Sequence, residues 1–248
     1  MVRRIIAHRG HKVGAPEQTL AAFRLAVDFG ANMLEADLRF TRDGVPVMLH
    51  DSLLDRTTSG SGPVAAMAWA EVSQLDAGSW FDARFSGERV PRLDDLFDLA
   101  ESLGVSLCIE AKGEGEQSAA AALFAAGQIA GRSRLDRDVV ASFDHQALAA
   151  AAASVPGLRT APDRLPERGP STAHDLIAQA RRAKAHIIQH HFADLDASVV
   201  AEVQAAGIEV WAWPMANAAE AQLAFDSGAI GLMGDDVAAI AAVLGTDD

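Results

Sequence analysis

The chain has 248 residues and a mass of 26.1 kDa, enough for one large domain or two small ones and for a core that needs no staples. Its single cysteine, Cys108, excludes an intramolecular disulfide framework and cysteine-rich zinc modules. With 21 Lys and Arg against 34 Asp and Glu, the net charge of −13 argues against nucleic-acid binding as the main activity, yet leaves room for one local anion site.

The first eight residues carry two arginines but too short an apolar run for a secretion signal. No window approaches the ~18 apolar residues of a membrane span. The expectation is a cytoplasmic protein without stable membrane association. In chain order, short apolar runs predict strands at Arg4–Ala7, Met33–Leu38, Val45–Leu49, Ser106–Ile109, Val139–Phe143, Leu158–Ala161, Ile187–Gln189, Glu209–Trp213 and Gly231–Met233. Helical periodicity falls between them, at Leu20–Phe29, Leu93–Leu103, Ser118–Ala130, Gln146–Ala153, Ala173–Ala183, Ala197–Ala206 and Ala218–Ser227, and after the last strand at Val237–Leu244. Gly30, Gly104, Gly207 and Gly228 stand where helices should stop.

The alternation predicts a parallel α/β fold, and one spacing departs from it. Only Arg39 to Gly44 separates the second segment from the third. A parallel crossover needs a dozen or more residues, so these two are expected to be antiparallel, with Asp43-Gly44 as a two-residue turn. Pro46 marks the third segment as an edge strand. Eight strands then remain, most joined by helices, in about the length of a TIM barrel. The same alternation also feeds an open doubly wound sheet. Residues 51–92 break the rhythm: Asp55 to Pro63 is turn chemistry, and Trp69, Trp80, Phe81 and Phe85 follow without a period. The expected architecture is a TIM (β/α)8 barrel formed by residues 1–50 and 93–248. A β-hairpin and a small inserted capping subdomain, 51–92, follow its second strand.

A two-residue turn would pair Arg42 with Val45 and set Asp37 opposite His50, on the face shared by Glu35. Two carboxylates on a strand flanked by crossover helices call for a chemical reason. The fourth predicted strand closes with Glu110 and Lys112, and the first with His8, Arg9 and Gly10. TIM barrels carry their active sites at the C-terminal ends of the strands. Glu35, Asp37 and Glu110 converging there would repel one another unless a hard divalent cation sat between them. Arg9 offers a fork for a phosphate oxygen, and two imidazoles, His8 and His50, can divide acid and base roles. Of His190 and His191, adjacent in a strand, at most one can face such a site. Cys108 reads as a small buried hydrophobe. Trp213, at the end of the eighth strand, is expected to line the pocket.

His8-Arg9-Gly10, Pro16-Glu17-Gln18-Thr19, Glu35-x-Asp37, Thr41-x-Asp43-Gly44, His50-Asp51, Glu110-x-Lys112, Arg56-Thr57-Thr58-x-Gly60-x-Gly62 and Pro91-x-Leu93 together resemble the glycerophosphodiester phosphodiesterase family. The resemblance spans nearly the whole chain, in order. It implies a TIM barrel with a small insertion and one bound Mg²⁺ or Ca²⁺. It also implies hydrolysis of small glycerophosphodiesters to glycerol 3-phosphate and an alcohol, through a cyclic phosphate. By position, Glu35, Asp37 and Glu110 would hold the metal, His8 and His50 would be the acid–base pair, and Arg9 and Lys112 would sit near the phosphate. The sequence departs from the family pattern at Gln18, at Pro214-Met215-Ala216 and at Gly234. A phospholipase-D-like enzyme and an inactive phosphodiester-binding barrel are the alternatives. The acidic chain lacks the basic amphipathic helix the first would want, and all five metal and histidine positions, which the second would be expected to have eroded, are filled.

Overall fold

The computed structural model describes residues 4–164 and 171–245. In chain order the elements are β1 (Arg4–His8), α1 (Leu20–Asp28), β2 (Met33–Phe40), β3 (Pro46–Met48), α2 (Trp69–Val72), α3 (Leu93–Leu103), β4 (Ser106–Ala111), α4 (Glu116–Gly131) and β5 (Val139–Ser142). They continue with α5 (His145–Ser154), β6 (Arg159–Pro162), α6 (Ala173–Arg182), β7 (Ile187–His191), α7 (Ala197–Ala205), β8 (Glu209–Met215), α8 (Ala218–Asp226), β9 (Gly231–Gly234) and α9 (Val237–Leu244). Local chemistry fixes the helix starts. The side chains of Thr19, Asp144, Asp196, Asn217 and Asp236 each accept a backbone N–H from the first turn of α1, α5, α7, α8 and α9, worth about 1 kcal/mol apiece. The four expected stop glycines all take positive φ.

The strands run in the order β6-β5-β4-β2-β1-β9-β8-β7, every neighbouring pair parallel. The sheet closes on itself where β6 meets β7, through a parallel bridge between Asp163 and Gln189 and a hydrogen bond from Arg164 N to Gln189 O at 3.0 Å. This is a TIM barrel, and the open-sheet alternative is excluded by the seam. Ile6, Met33, Cys108, Val139, Ala161, Ile187, Trp211 and Met233, one residue from each barrel strand, pack together as an apolar floor. Trp211 is fully buried in it, and burying an indole is worth about 5 kcal/mol of transfer free energy. It fits because Gly231, one strand away, has no side chain: a Cβ there would lie 2.5 Å from the ring.

The hairpin differs from its expected geometry by one residue. Leu38 pairs with Met48, Arg39 with Val47 and Phe40 with Pro46, so Leu49, not His50, lies beyond Asp37, with Leu49 N donating to Asp37 O at 2.9 Å. The turn holds three residues, because Thr41 rather than Arg42 meets Val45, Thr41 N donating to Val45 O at 3.0 Å. Gly44, at φ +79°, takes the left-handed position that closes a three-residue loop with a bulge. As expected of an edge, β3 pairs with β2 alone among the strands. Residues 51–92 gather on Val47 and Leu49 around an apolar cluster of their own, formed by Leu54, Val64, Val72, Ala77 and Val90. The aromatics Trp80, Phe81 and Phe85 pack edge to face at 5.7 Å beside it.

Candidate active site

Two residues beyond the floor, each strand's inward parity delivers a second layer, and on every strand but β5, which contributes Ala141, this layer is polar or amphipathic. It contains His8 on β1, Glu35 on β2, Glu110 on β4, Asp163 after β6, Gln189 on β7, Trp213 on β8 and Asp235 after β9. All of these but Asp235 line one cavity of about 110 Å³, which Arg9, His50, Lys112 and Phe143 also line. The cavity lies at the C-terminal mouth of the barrel.

Glu35, Asp37 and Glu110 come together as expected: oxygens of the three buried carboxylates lie within 4.8 Å of one another. Burial and the two neighbouring carboxylates push Glu35 well above the usual carboxylate range. Burial and Asp37 raise Glu110 to about 7. Asp37 is buried too, but Lys112 and Arg9 outweigh that burial and hold it well below the usual range. Lys112 Nζ donates to Glu110 Oε1 at 2.6 Å and sits 2.9 Å from Asp37 Oδ1. Arg9 Nε lies 3.1 Å from Asp37 Oδ2. The two cations expected near phosphate thus lean on the triad itself. Arg9 does so from a left-handed conformation, φ 60°, followed by Gly10 at φ +87°. At Gly10 a Cβ would come 2.6 Å from that of Ala22, so the reversal after β1 requires glycine. Gln18, also at φ 60°, donates to Asp37 Oδ2 at 2.6 Å. The one-methylene departure from the family pattern therefore still reaches the triad. A hard divalent cation fits these groups: the donors are all oxygens, and buried Glu35 Oε1 has no hydrogen-bond partner.

Both histidines reach the cavity, His50 despite the shifted register. The chain bends out of β3, and Arg39 grips the His50 carbonyl with Nε at 2.9 Å and a terminal nitrogen at 2.7 Å. Each imidazole has a carboxylate behind it. His8 Nδ1 donates to Asp235 Oδ1 at 2.7 Å, and His50 Nδ1 donates to Asp51 Oδ1 at 2.7 Å. Asp235 also binds Lys12 at 2.9 Å. Asp51 accepts from Arg56 Nε at 2.6 Å, and Arg56 in turn clamps Glu17 at 2.8 and 2.9 Å. Both carboxylates lie below the usual range, Asp51 at about 2, chiefly through Arg56, and Asp235 because His8 and Lys12 outweigh its burial. Each therefore accepts a hydrogen bond, fixing the proton on Nδ1 and leaving Nε2 with its lone pair. Burial lowers both imidazoles below their ordinary value.

Trp213 lines the cavity and packs edge to face with Phe143 at 5.8 Å. Of the histidine pair, His191 stands 6.3 Å from Trp213, while His190 is buried on the opposite parity. Cys108 is a buried free thiol in the floor. Sequence reasoning missed Asp163, Gln189, and Asp235 as the partner of His8. The signal was present: each lies two residues past an inward floor residue, Gln189 at the last position of its predicted strand and Asp163 and Asp235 just beyond the ends of theirs.

A closed parallel barrel whose mouth gathers a carboxylate triad, two cations and two carboxylate-backed imidazoles defines a class: TIM-barrel enzymes with a polar, charge-lined active site. The comparisons agree. The model of the glycerophosphoryl diester phosphodiesterase family matches residues 8–239, and the chain belongs to this family. The YhdW protein of Bacillus subtilis, whose name places it in the same family, is 33% identical over 214 residues, 86% of each chain. The crystal structure of a glycerophosphodiester phosphodiesterase from Agrobacterium tumefaciens superposes with a TM-score of 0.82 at 28% identity, covering 98% of this chain and 100% of that one. A phosphodiesterase from Oleispira antarctica, in complex with the product sn-glycerol-3-phosphate, gives 0.87 at 28% identity, covering 98% and 97%. The protein is a glycerophosphodiester phosphodiesterase by family, and no helix among its described residues is long and apolar enough to cross a membrane.

Proposed function

We propose that this enzyme hydrolyses small glycerophosphodiesters to glycerol 3-phosphate and an alcohol, with Glu35, Asp37 and Glu110 holding one divalent cation, Mg²⁺ or Ca²⁺. The observation that carries the mechanism is the pair of imidazoles, each fixed by a carboxylate on Nδ1 and each lining the cavity beside the triad. The product bound to the Oleispira relative supports the choice of substrate. When bound, the cation supplies Lewis-acid stabilisation of charge on the phosphoryl oxygens. With the carboxylates neutralised by it, Arg9 and Lys112 are free to turn their charge on the phosphate.

One imidazole Nε2 takes the proton of the glycerol 2-hydroxyl as its oxygen attacks phosphorus. The other, entering protonated, gives its proton to the departing alkoxide, and the alcohol leaves behind a cyclic phosphate. In the second step the now neutral ring takes a proton from water, which opens the cycle, and the protonated ring returns its proton to the glycerol oxygen. The internal nucleophile gains effective molarity over water. The test is metal-dependent release of glycerol 3-phosphate from a panel of glycerophosphodiesters, together with a phosphodiester whose glycerol lacks the 2-hydroxyl. The deoxy compound should be inert. Its hydrolysis at the parent rate would replace internal attack with direct attack by water.

A further inference from the structure

Opposite the triad, the β6–β7–β8 wall of the cavity carries polar atoms that nothing among the described residues satisfies. Asp163 is 7% exposed and Gln189 1%. Asp163 Oδ2, Gln189 Oε1 and Trp213 Nε1 are all buried without a hydrogen-bond partner. Asp163 and Gln189 are bridge partners at the seam where the barrel closes, and Trp213 stands one strand further on, paired with His191 of β7. An unmet buried polar atom costs about 1–3 kcal/mol. Three on one wall of one cavity amount to a built demand for a ligand.

The inventory of these atoms selects the ligand's chemistry. Burial and the nearby Glu110 push the Asp163 carboxyl well above the usual carboxylate range, so it holds a proton and can donate as well as accept; the Gln189 amide oxygen accepts, and the indole N–H only donates. An ammonium headgroup brings no acceptor and would leave Trp213 Nε1 unmet. In addition, Phe143, the aromatic face beside the wall, is already engaged by Lys112 Nζ, 5.9 Å from its centroid. A hydroxyl donates and accepts at once. We infer that Asp163, Gln189 and Trp213 form a seat for a hydroxyl-bearing, polyol part of the substrate and set the enzyme's preference for it. This rests on the proposed glycerophosphodiester hydrolysis. The polyol is either the glycerol of the glycerophosphoryl half or a hydroxylated leaving alcohol.

The experiment compares kcat/KM of wild type, Asp163→Leu, Asp163→Asn and Trp213→Phe on glycerophosphoglycerol, glycerophosphoethanol and glycerophosphocholine. Asp163→Leu should lose about 10- to 100-fold wherever a hydroxyl uses the seat. Asp163→Asn should keep most of the activity, because an amide still accepts and donates. Trp213→Phe, which keeps the ring and removes only the donor, should lose activity on the same substrates as Asp163→Leu. Equal loss on all three substrates places the glycerol half in the seat, and loss confined to glycerophosphoglycerol places the leaving alcohol there. Unchanged kinetics in Asp163→Leu overturns the inference. So does a loss confined to glycerophosphocholine with Asn as damaging as Leu, because the seat would then read charge. Thermal melts check folding, and should Asp163→Leu melt below wild type, Trp213→Phe decides alone. A wild type inactive on all three substrates overturns the proposed function and this inference with it, whereas an active wild type with unmoved variants overturns only the seat.

Discussion

Glu110→Gln, studied in protein stripped of divalent cations with a chelator, probes the triad without any assay of catalysis. Glu110 is 8% exposed, and its carboxyl is raised from 4.5 to about 7. A folded-state value above the unfolded one means that the native state holds the proton longer. The stability this group contributes is therefore full below pH 4.5 and lost as pH rises through about 7. A rise of that size corresponds to roughly 3 kcal/mol between pH 4.5 and pH 8. For a chain of this length that is about 6–12 °C of melting temperature. Asp37, held low, is charged throughout this window and does not change its contribution. The lowered histidines give the opposite slope, but equally in both proteins, so they cancel in the difference. Metal-free wild type should thus lose stability relative to Glu110→Gln as pH rises from 5 to 8, and added Mg²⁺ or Ca²⁺ should restore it in wild type far more than in the variant. Scanning calorimetry at several pH values reads both effects. Parallel pH curves for the two proteins, or equal gains from the cation, would refute the reading of Glu110 as a strained, metal-seeking carboxylate.

The remaining predictions concern catalysis. His8→Ala and His50→Ala should each lower kcat by roughly 10²–10⁴ while the cation still raises their melting temperatures as in wild type; a lost cation response would move these residues into the metal site. Asp235→Asn should cost roughly as much as removing His8, because an amide no longer fixes the Nδ1 proton, and steady-state kinetics with the intact cation response would show it; an unchanged kcat would make Asp235 merely structural. Since burial lowers both imidazoles, the bell of kcat/KM against pH should centre below pH 6.5; a centre above that value would contradict their burial. Replacing residues 51–92 by a short linker should leave cation binding but lower kcat as well as raise KM, because Asp51 and Arg56 brace His50; an effect on KM alone would confine the segment to substrate access.

Much of the site was legible because strand parity is a local property. Ile6 and His8, Met33 and Glu35, Cys108 and Glu110 each sit two apart, and that alternation survives any error about which strand neighbours which. The count of eight parallel strands followed from crossover length, which requires no knowledge of packing, whereas closure into a barrel rather than an open sheet rests on the β6–β7 seam. What failed was whatever depends on a single residue of register or on a strand's true end. Asp43-Gly44 reads equally as the core of a two-residue turn or as the last two members of a three-residue turn. Only the Thr41–Val45 closure, stabilised by the Thr41 hydroxyl accepting from Val45 N at 3.0 Å, decides between them. His50 escaped the consequence because Arg39 draws its carbonyl back toward β2. Asp163 was missed because β6 was expected to end at Ala161, and Asp235 because a residue past a short glycine-bounded strand gives no sign of which histidine it will meet. The brace from Asp51 through Arg56 to Glu17 joins residues up to 39 positions apart, and no local pattern announces it.

The apolar floor gives the reaction a direction of traffic. With Trp211 and its seven companions packed beneath it, the cavity faces the C-terminal mouth of the barrel, where Phe143 is 41% exposed at the lip. Asp37, at 0% exposure, lies deeper than Phe143, so a group leaving the triad by the mouth passes the lip on its way out. In the proposed two-step reaction, where an alcohol leaves before water enters, such a corridor makes each departure the condition for the next arrival, and turnover becomes a matter of order as much as of barrier height.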